Sequence, residues 1–282
     1  MFNVELYNGV KMPAIGFGTY PLKDELLSLV PRAIEDGCRL IDTAWKYQNE
    51  CQIGEAIKST NCKDLFVESK LNIKQLYPCS WHHKLRAILP PLHSVESLYD
   101  GSCKRLGLER LNLYLMHYPY PTYQKIWKDM VHLYEQKKVD SIGVCSFSKK
   151  QLQSVIDESQ IIPMVNQIEM HPFNTNKETL QFCNEKNIQV MAFSPFGGGL
   201  ITQSLFADEV LTTIAKEYNK TVSQVILRWI IQLGVVPVFK SSKTSRIKEN
   251  LDVFDFELTT AQMEKIDSLN KNEAVLLKQH GQ

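Results

Sequence analysis

The chain has 282 residues, long enough for one large α/β barrel or two ordinary domains. Hydrophobic residues make up 44% of it and charged residues 22%, the proportions of an ordinary soluble protein. The formal net charge of +1 creates no global field that would attract nucleic acid or an anionic membrane. No apolar stretch approaches the ~18 residues of a membrane-spanning helix. Neither nucleic acid nor a membrane is therefore expected as a partner.

Seven cysteines are scattered along the chain, with no CxxC pair and no Cys/His spacing typical of zinc sites. This odd, unpatterned set predicts reduced thiols, no metal site and a cytoplasmic location. Cys38 and Cys145 lie in apolar runs and are expected to act as small core residues. The N-terminal stretch MFNVELYNGVKMP has no long apolar core, so a secretory signal is not expected there.

The first predicted element is a β-hairpin. Val4–Leu6 and Met12–Ile15 lie on either side of Asn8-Gly9, a dipeptide that tolerates the positive φ of a tight turn. No linker-like run, low-complexity tract or repeat divides the rest of the chain, which predicts a single domain over residues 1–282.

Eight short β-rich runs follow, separated by segments with helical spacing. The predicted strands are Ala14–Gly18, Arg39–Thr43, Leu65–Ser69, Leu111–Met116, Ser141–Val144, Met164–Ile168, Val190–Phe193 and Val235–Phe239. They are mostly continuously apolar, as parallel strands covered on both faces are. The clearest helix has its apolar stripe between Val222 and Leu233, with Thr221 as N-cap and Gly234 as its stop.

This alternation predicts an α/β fold, a closed (β/α)8 TIM barrel with an N-terminal β-hairpin. A doubly wound open sheet is the alternative. If it bound a dinucleotide, such a sheet would usually carry a GxGxxG turn after its first strand. Here that strand reads GFGTYP, which ends in proline and opens no helix.

Four polar side chains lie at or just past the ends of consecutive predicted strands. Asp42 and Tyr47 occur in IDTAWKY, Lys70 in FVESK and His117 in LYLMHYP. Because the active sites of such barrels form at the C-terminal ends of the strands, we expect the four to meet at one mouth. Any one of them alone would be read as a structural or surface residue; their shared position indicates function.

These residue types suit the reduction of a carbonyl group. Negative charge develops on the oxygen as a hydride reaches the carbon, and a positioned acid must protonate that oxygen. Tyr47 would be the acid, and the Lys70 ammonium would favour its phenolate and so make it a better acid. Asp42 would hold Lys70 in place, and His117 would donate a hydrogen bond to the same oxygen.

Several stretches resemble motifs of the aldo-keto reductase superfamily, in the right order from about Gly9 to about Leu269. IDTAWKYQNE is similar to the Asp-Thr-Ala-x-x-Tyr-x-Asn-Glu signature, and LYLMHYP to the Leu-Tyr-Leu-Ile-His-Trp-Pro strand. NQIEMHPF and KSSKTSRIKEN resemble two later segments of the family. The resemblance implies an NADPH-dependent carbonyl reductase on a (β/α)8 barrel, with Tyr47 as the general acid.

The resemblance also implies a cofactor site for NADPH or NADP+. Gln167 and Ser146 would contact the nicotinamide carboxamide, and Phe193 would stack on its ring. The loop with Ser194, Phe196, Gly197 and Gly198 would lie against the pyrophosphate, and Gly18 and Thr19 are assigned to the same site. Lys240, Ser241, Lys243 and Arg246 would grip the adenosine 2′-phosphate, with Glu249 and Asn250 near the adenine. Clustered cationic side chains and a hydroxyl near a helix start suit a dianion.

Two departures from the family pattern concern cofactor and substrate. GVCSF places Cys145 and Ser146 where the family usually has serine and asparagine. An asparagine can both donate to and accept from the nicotinamide carboxamide, whereas the Ser146 hydroxyl can make one such hydrogen bond. Leu71–Ser94 is longer than usual and could line the substrate pocket, make an oligomer contact, or be a surface excursion. We predict an open pocket lined by Tyr20, Trp45, Trp81 and Tyr118.

The sequence therefore predicts an enzyme that reduces aldehydes and ketones to alcohols with NADPH, acting on small-molecule carbonyl substrates as a monomer. The alternative is a regulatory or sensing protein that binds the cofactor on the same scaffold with little catalysis. The complete quartet favours the enzyme, whereas Ser146 in place of asparagine keeps the alternative open.

Overall fold

A computed structural model describes residues 2–76 and 92–275 of the chain. A separate antiparallel sheet consists of β1 (Asn3–Glu5) and β2 (Lys11–Pro13). The closed barrel is formed by β3 (Gly16–Gly18), β4 (Leu40–Asp42), β5 (Phe66–Leu71), β6 (Leu113–Met116), β7 (Ser141–Cys145), β8 (Val165–Glu169), β9 (Gln189–Phe193) and β10 (Val236–Phe239). All neighbouring barrel strands are parallel, and β10 pairs with β3 to close the ring. The predicted (β/α)8 barrel with its hairpin is thus confirmed, and the open-sheet alternative is wrong.

Helices surround the barrel. Their bounds are α1 (Leu26–Glu35), α2 (Glu50–Lys58), α3 (Ile73–Leu76), α4 (Val95–Leu106), α5 (Tyr123–Glu135), α6 (Lys149–Ser159), α7 (Lys177–Glu185), α8 (Leu200–Ala207), α9 (Glu209–Glu217), α10 (Val222–Gln232), α11 (Thr244–Leu251) and α12 (Thr260–Asp267). The expected ends of α10 are confirmed. Thr221 and Gln224 form a reciprocal capping box, and Gly234 follows the helix with φ of +75°.

Strand bounds differ from the predicted ones by at most two residues. One difference affects the site. Strand β5 continues to Leu71, because it stays paired with β6 as far as Met116, so Lys70 lies inside the strand and not after it. The hairpin loop also differs from a tight two-residue turn. The Leu6 amide donates to the Val10 carbonyl oxygen at 2.9 Å, and Gly9, not Asn8, has the positive φ.

A buried asparagine fixes the loops at the mouth of the barrel. Asn49 Nδ2 donates to the carbonyl oxygens of Thr19 and Leu22 at 3.1 and 3.0 Å. Its Oδ1 accepts a hydrogen bond from Thr43 Oγ1 at 3.0 Å. The loop after β3 is thereby tied to the loop after β4, which contains the 3-10 turn Trp45–Tyr47. This network fixes the backbone that carries Tyr47.

Within residues 2–76 and 92–275, no helix is both long and apolar enough to cross a membrane. The six cysteines in this part of the chain are free thiols, and Cys38 and Cys145 are buried, as the apolar runs predicted. Cys79 lies outside the described residues.

Candidate active site

The centre of the site is the ammonium group of Lys70, which is fully buried. Lys70 Nζ donates to Asp42 Oδ2 at 2.5 Å and to the Thr43 carbonyl oxygen at 3.0 Å. Glu68 Oε1 lies 3.0 Å away on another side. Strand geometry explains this arrangement, because Glu68 and Lys70 are two residues apart on β5 and share its inward face. Asp42 faces the same point because it pairs in register with Glu68 across β4 and β5.

Tyr47 lies beside this ammonium, and His117 lies against Tyr47. Lys70 Nζ is 5.5 Å from the centroid of the Tyr47 ring. The His117 imidazole meets the same ring edge-on, with centroids 5.8 Å apart and an interplanar angle of 82°. Tyr47 is half-buried and His117 is buried. The structure thus brings the four side chains predicted to be catalytic to one place.

The pKa of Tyr47 corrects one expectation. Burial raises the pKa of the phenol, and the Lys70 ammonium lowers it only in part, so the net shift is upward. Desolvation is the larger effect, and the negative charge of Asp42 opposes the attraction of that cation. Tyr47 is therefore protonated at neutral pH. Burial alone would lower the pKa of Lys70, but the carboxyl groups of Asp42 and Glu68 raise it well above the usual value.

Glu68 is a site residue that the sequence reasoning missed. Its carboxyl is fully buried and contacts Lys70, and Gln167 Nε2 donates to its two oxygens at 3.1 and 3.3 Å. Burial and the charge of Asp42 raise the pKa of Glu68 well above the usual range. The available signal was the spacing Glu-Ser-Lys in FVESK, since residues two apart on a strand share a face.

The residues predicted around the nicotinamide meet near this centre, with one unexpected contact. Gln167 Nε2 donates to Asp42 Oδ2 at 2.7 Å, so its amide nitrogen is engaged by carboxylates. Gln167 Oε1 faces the Cys145 thiol at 3.8 Å, and burial raises the pKa of that thiol to about 12. Ser146 follows β7 with φ of +61°, and its amide donates to the Gln167 carbonyl oxygen at 2.8 Å. Phe193 ends β9 and is half-buried.

The predicted pyrophosphate loop follows β9 directly. Gly197 has φ of +64°, and a side chain there would meet Ile201 Cγ2 at 2.5 Å, so a larger residue would be strained. Its amide donates to the Ser194 carbonyl oxygen at 2.8 Å. Gly198 is half-buried, and the Phe196 ring packs edge-on against Phe206.

Gly18 and Thr19 lie at the end of β3. Gly18 packs against β10, where a side chain would meet Val238 Cγ1 at 3.0 Å. The hydroxyl of Thr19 is fully buried and donates to the Asp42 carbonyl oxygen at 2.9 Å. Both residues hold strands together at the mouth of the barrel.

The basic segment lies at the start of α11. Lys240, Lys243 and Arg246 are exposed, and none of them forms an ion pair with a carboxylate in the described part of the chain. Ser241 is buried, and its hydroxyl is used within the turn, where it donates to the Lys243 carbonyl oxygen at 3.0 Å. The three cations therefore keep their charge available for an anion.

Two residues predicted near the adenine lie further along α11. Glu249 is half-buried and accepts a hydrogen bond from Thr221 Oγ1 at 3.0 Å. Asn250 is 3% exposed, and its Oδ1 has no hydrogen-bond partner among residues 2–76 and 92–275. Because a buried polar atom without a partner is costly, this oxygen indicates a place for a ligand donor.

Three of the four predicted pocket residues border the mouth. The Tyr20 ring is exposed and lies 5.0 Å from the Tyr47 ring. The Tyr118 ring stacks on His117 with centroids 4.5 Å apart and an interplanar angle of 5°. Trp45 is half-buried in the 3-10 turn that carries Tyr47. Trp81 and most of the long segment after Lys70 lie outside the described residues.

Comparison with known proteins agrees with this geometry. The sequence model of the aldo/keto reductase family matches residues 14–271. The chain is 41% identical over 278 residues to the glyoxal reductase of Bacillus subtilis (strain 168), covering 96% of this chain and 94% of that protein. It is 35% identical over 276 residues to the methylglyoxal reductase of Escherichia coli (strain K12), covering 95% and 93%.

Solved structures give the same result. An aldo-keto reductase enzyme from a Medee basin deep-sea metagenome library has a TM-score of 0.87 at 34% identity, covering 96% of each chain. The Bombyx mori aldo-keto reductase in complex with NADP has a TM-score of 0.84 at 32% identity, covering 96% of this chain and 93% of that one.

Proposed function

This chain belongs to the aldo/keto reductase family and is an oxidoreductase acting on carbonyl groups, and we propose that it reduces aldehydes and ketones to alcohols with NADPH, with Tyr47 as the general acid. One observation carries the proposal. The buried Lys70 ammonium contacts the Asp42 carboxylate and lies 5.5 Å from the centre of the Tyr47 ring, which the imidazole of His117 meets edge-on. This is an arrangement that can supply a proton to a carbonyl oxygen and stabilise the charge left behind.

Each residue has a defined part in the proposed reaction. The reduced nicotinamide, when bound, supplies the hydride that adds to the carbonyl carbon. Tyr47 is protonated at neutral pH, because burial raises the pKa of its phenol, and it gives that proton to the carbonyl oxygen. The phenolate that remains is stabilised by Lys70, whose charge Asp42 maintains. His117 donates a hydrogen bond to the same carbonyl oxygen and orients the substrate.

The residues present fit NADPH at its phosphate end. Lys240, Lys243 and Arg246 are exposed cations without a carboxylate partner in the described residues, which suits the adenosine 2′-phosphate. The unpartnered Oδ1 of Asn250 suits a donor such as an adenine amino group. The preference for NADPH over NADH rests on these charges.

The nicotinamide end fits with a modified hydrogen-bond set. Phe193 offers a half-buried aromatic face at the end of β9. The amide nitrogen of Gln167 is engaged by Asp42 and Glu68, so Gln167 would accept from the carboxamide through Oε1. The Ser146 hydroxyl would supply one further hydrogen bond.

The test is to follow NADPH absorbance with methylglyoxal and with 4-nitrobenzaldehyde. We expect turnover in the wild type and a loss of at least about 100-fold in Tyr47→Phe, because the variant lacks the proton donor. NADPH binding, measured by quenching of protein fluorescence, is expected to stay nearly unchanged. Tyr218→Phe removes a phenol that bonds Gln262 on another helix and serves as the matched control.

Two outcomes would contradict the proposal. Turnover that survives in Tyr47→Phe would remove Tyr47 as the acid. A wild type that binds NADPH tightly but reduces no carbonyl compound would favour the regulatory alternative. The hydrogen bond from the Gln167 amide to Asp42 would then explain why the nicotinamide is not held for reaction.

A further inference from the structure

Two lysines border the mouth of the site and take no part in the chemistry described above. Lys46 lies directly before Tyr47 in the 3-10 turn, and Lys74 lies in α3, just after the strand that carries Lys70. Both side chains are exposed. Lys46 Nζ is 5.1 Å from the centroid of the Tyr118 ring, whose face stacks on His117. The Lys46 amine therefore lies beside the rings next to Tyr47, and Lys74 follows the strand that carries Lys70.

Neither amine forms an ion pair with a carboxylate among residues 2–76 and 92–275. The stretches 77–91 and 276–282 contain no aspartate or glutamate, so all 31 acidic side chains of the chain lie in the part that the structure describes. No ion pair among those residues includes Lys46 or Lys74. Burial lowers the pKa of Lys46, and the positive charge of Lys74 lowers it further. The two lysines thus leave positive charge at the mouth that no ion pair in the described part of the chain neutralises.

We infer that the site is selective for carbonyl substrates that carry a carboxylate, which Lys46 and Lys74 would bind while the carbonyl group reaches Tyr47. The inference rests on the proposed reductase function and names a substrate class for it. Lys46 Nζ lies at most about 10 Å from the centre of the His117 ring, since the two centroid distances through Tyr118 are 4.5 and 5.1 Å. In a substrate whose carboxylate and aldehyde are joined by a short chain or a benzene ring, the two groups are separated by a distance of that order.

The competing explanation is that Lys46 only packs on Tyr118. A cation above an aromatic face is a common stabilising contact. The two explanations differ in one respect. A packing role affects every substrate alike, whereas an anion site affects only substrates with a negative charge.

The test compares 4-carboxybenzaldehyde with its methyl ester, methyl 4-formylbenzoate, under saturating NADPH. The measured quantity is the ratio of kcat/KM for the acid to kcat/KM for the ester. We expect Lys46→Met and Lys74→Met each to lower this ratio about two- to fivefold, and the double variant about tenfold, as exposed charge pairs do. Lys46→Arg should restore the ratio, and added salt should lower it in the wild type. Lys58→Met changes an exposed lysine at the end of α2 and is the matched control.

The outcomes separate this inference from the proposed function. A ratio that is unchanged in the double variant, with the ester still reduced, would overturn the anion site alone. An equal loss of kcat/KM for acid and ester in Lys46→Met, with the ratio unchanged, would assign Lys46 to packing and overturn its part in the anion site. Failure of the wild type to reduce either the acid or the ester would contradict the reductase proposal itself.

Discussion

The buried carboxyl of Glu68 offers the sharpest test of the electrostatics at this site. Two carboxyl groups, Asp42 and Glu68, share the single ammonium of Lys70, and all three side chains are almost fully buried. With both carboxyls ionised, the cluster would carry a net negative charge away from water. Because burial and Asp42 raise the pKa of Glu68 well above its usual range, we expect Glu68 to keep its proton in the folded protein.

Replacement of Glu68 by glutamine mimics the protonated form. The amide nitrogen of Glu68→Gln can donate to Asp42, and its oxygen can accept from Lys70, so the fold should be retained. In the unfolded chain an ordinary glutamate loses its proton near pH ~4.3. The folded wild type binds more protons than the unfolded chain above that pH, so its stability relative to Glu68→Gln falls as pH rises. The slope is about 1.4 kcal/mol per pH unit over the range in which Glu68 is protonated in the folded protein and ionised in the unfolded chain.

The assay is urea denaturation of wild type and Glu68→Gln at several pH values from 5 to 8. The free energy of unfolding of the wild type, relative to the variant, should decline across this range. Glu55→Gln changes an exposed glutamate on α2 and should show no such trend. A wild-type-to-variant difference that is constant with pH would refute the reasoning, because it would mean that Glu68 has the same protonation in the folded and unfolded states.

Two further predictions follow from the fold and the cofactor site. Gly54→Ala should lower the free energy of unfolding by about 1–3 kcal/mol, because the new side chain would meet the Leu106 carbonyl oxygen at 2.6 Å where α2 crosses α4. The measurement is urea denaturation. An unchanged midpoint would show that α2 and α4 can move apart at no cost in stability. Arg246→Ala should raise the KM for NADPH about tenfold and leave the KM for NADH nearly unchanged, since only NADPH has the 2′-phosphate. Steady-state kinetics measure both values. An equal rise in KM for both cofactors would show that Arg246 does not recognise the phosphate.

Much of the barrel could be read from the sequence because its signals are local. Continuous apolar runs define strands covered on both faces, and each observed strand lies within two residues of a predicted one. The cap and stop of α10 likewise follow from Thr221 and Gly234. The convergence of Asp42, Tyr47, Lys70 and His117 followed from one property of the fold, namely that strand ends share a mouth.

Other features depend on distances between segments far apart in the chain. The amide of Gln167 turns to Asp42 and Glu68 across the barrel, which no local pattern indicates. The upward pKa shift of Tyr47 depends on how much water the closed barrel excludes, and the sequence reasoning considered only the charge of Lys70.

The amino-acid sequence by itself determined the order of the strands and the residues that could carry the chemistry, because both are read from neighbours along the chain. The pairing of β10 with β3, which closes the ring, joins segments more than 200 residues apart and was shown by the structure. Only the tertiary structure decided which charges share the interior and which remain unpaired at its mouth. Electrostatic energy depends on separation and solvent exposure in space, and both are fixed only when the barrel closes.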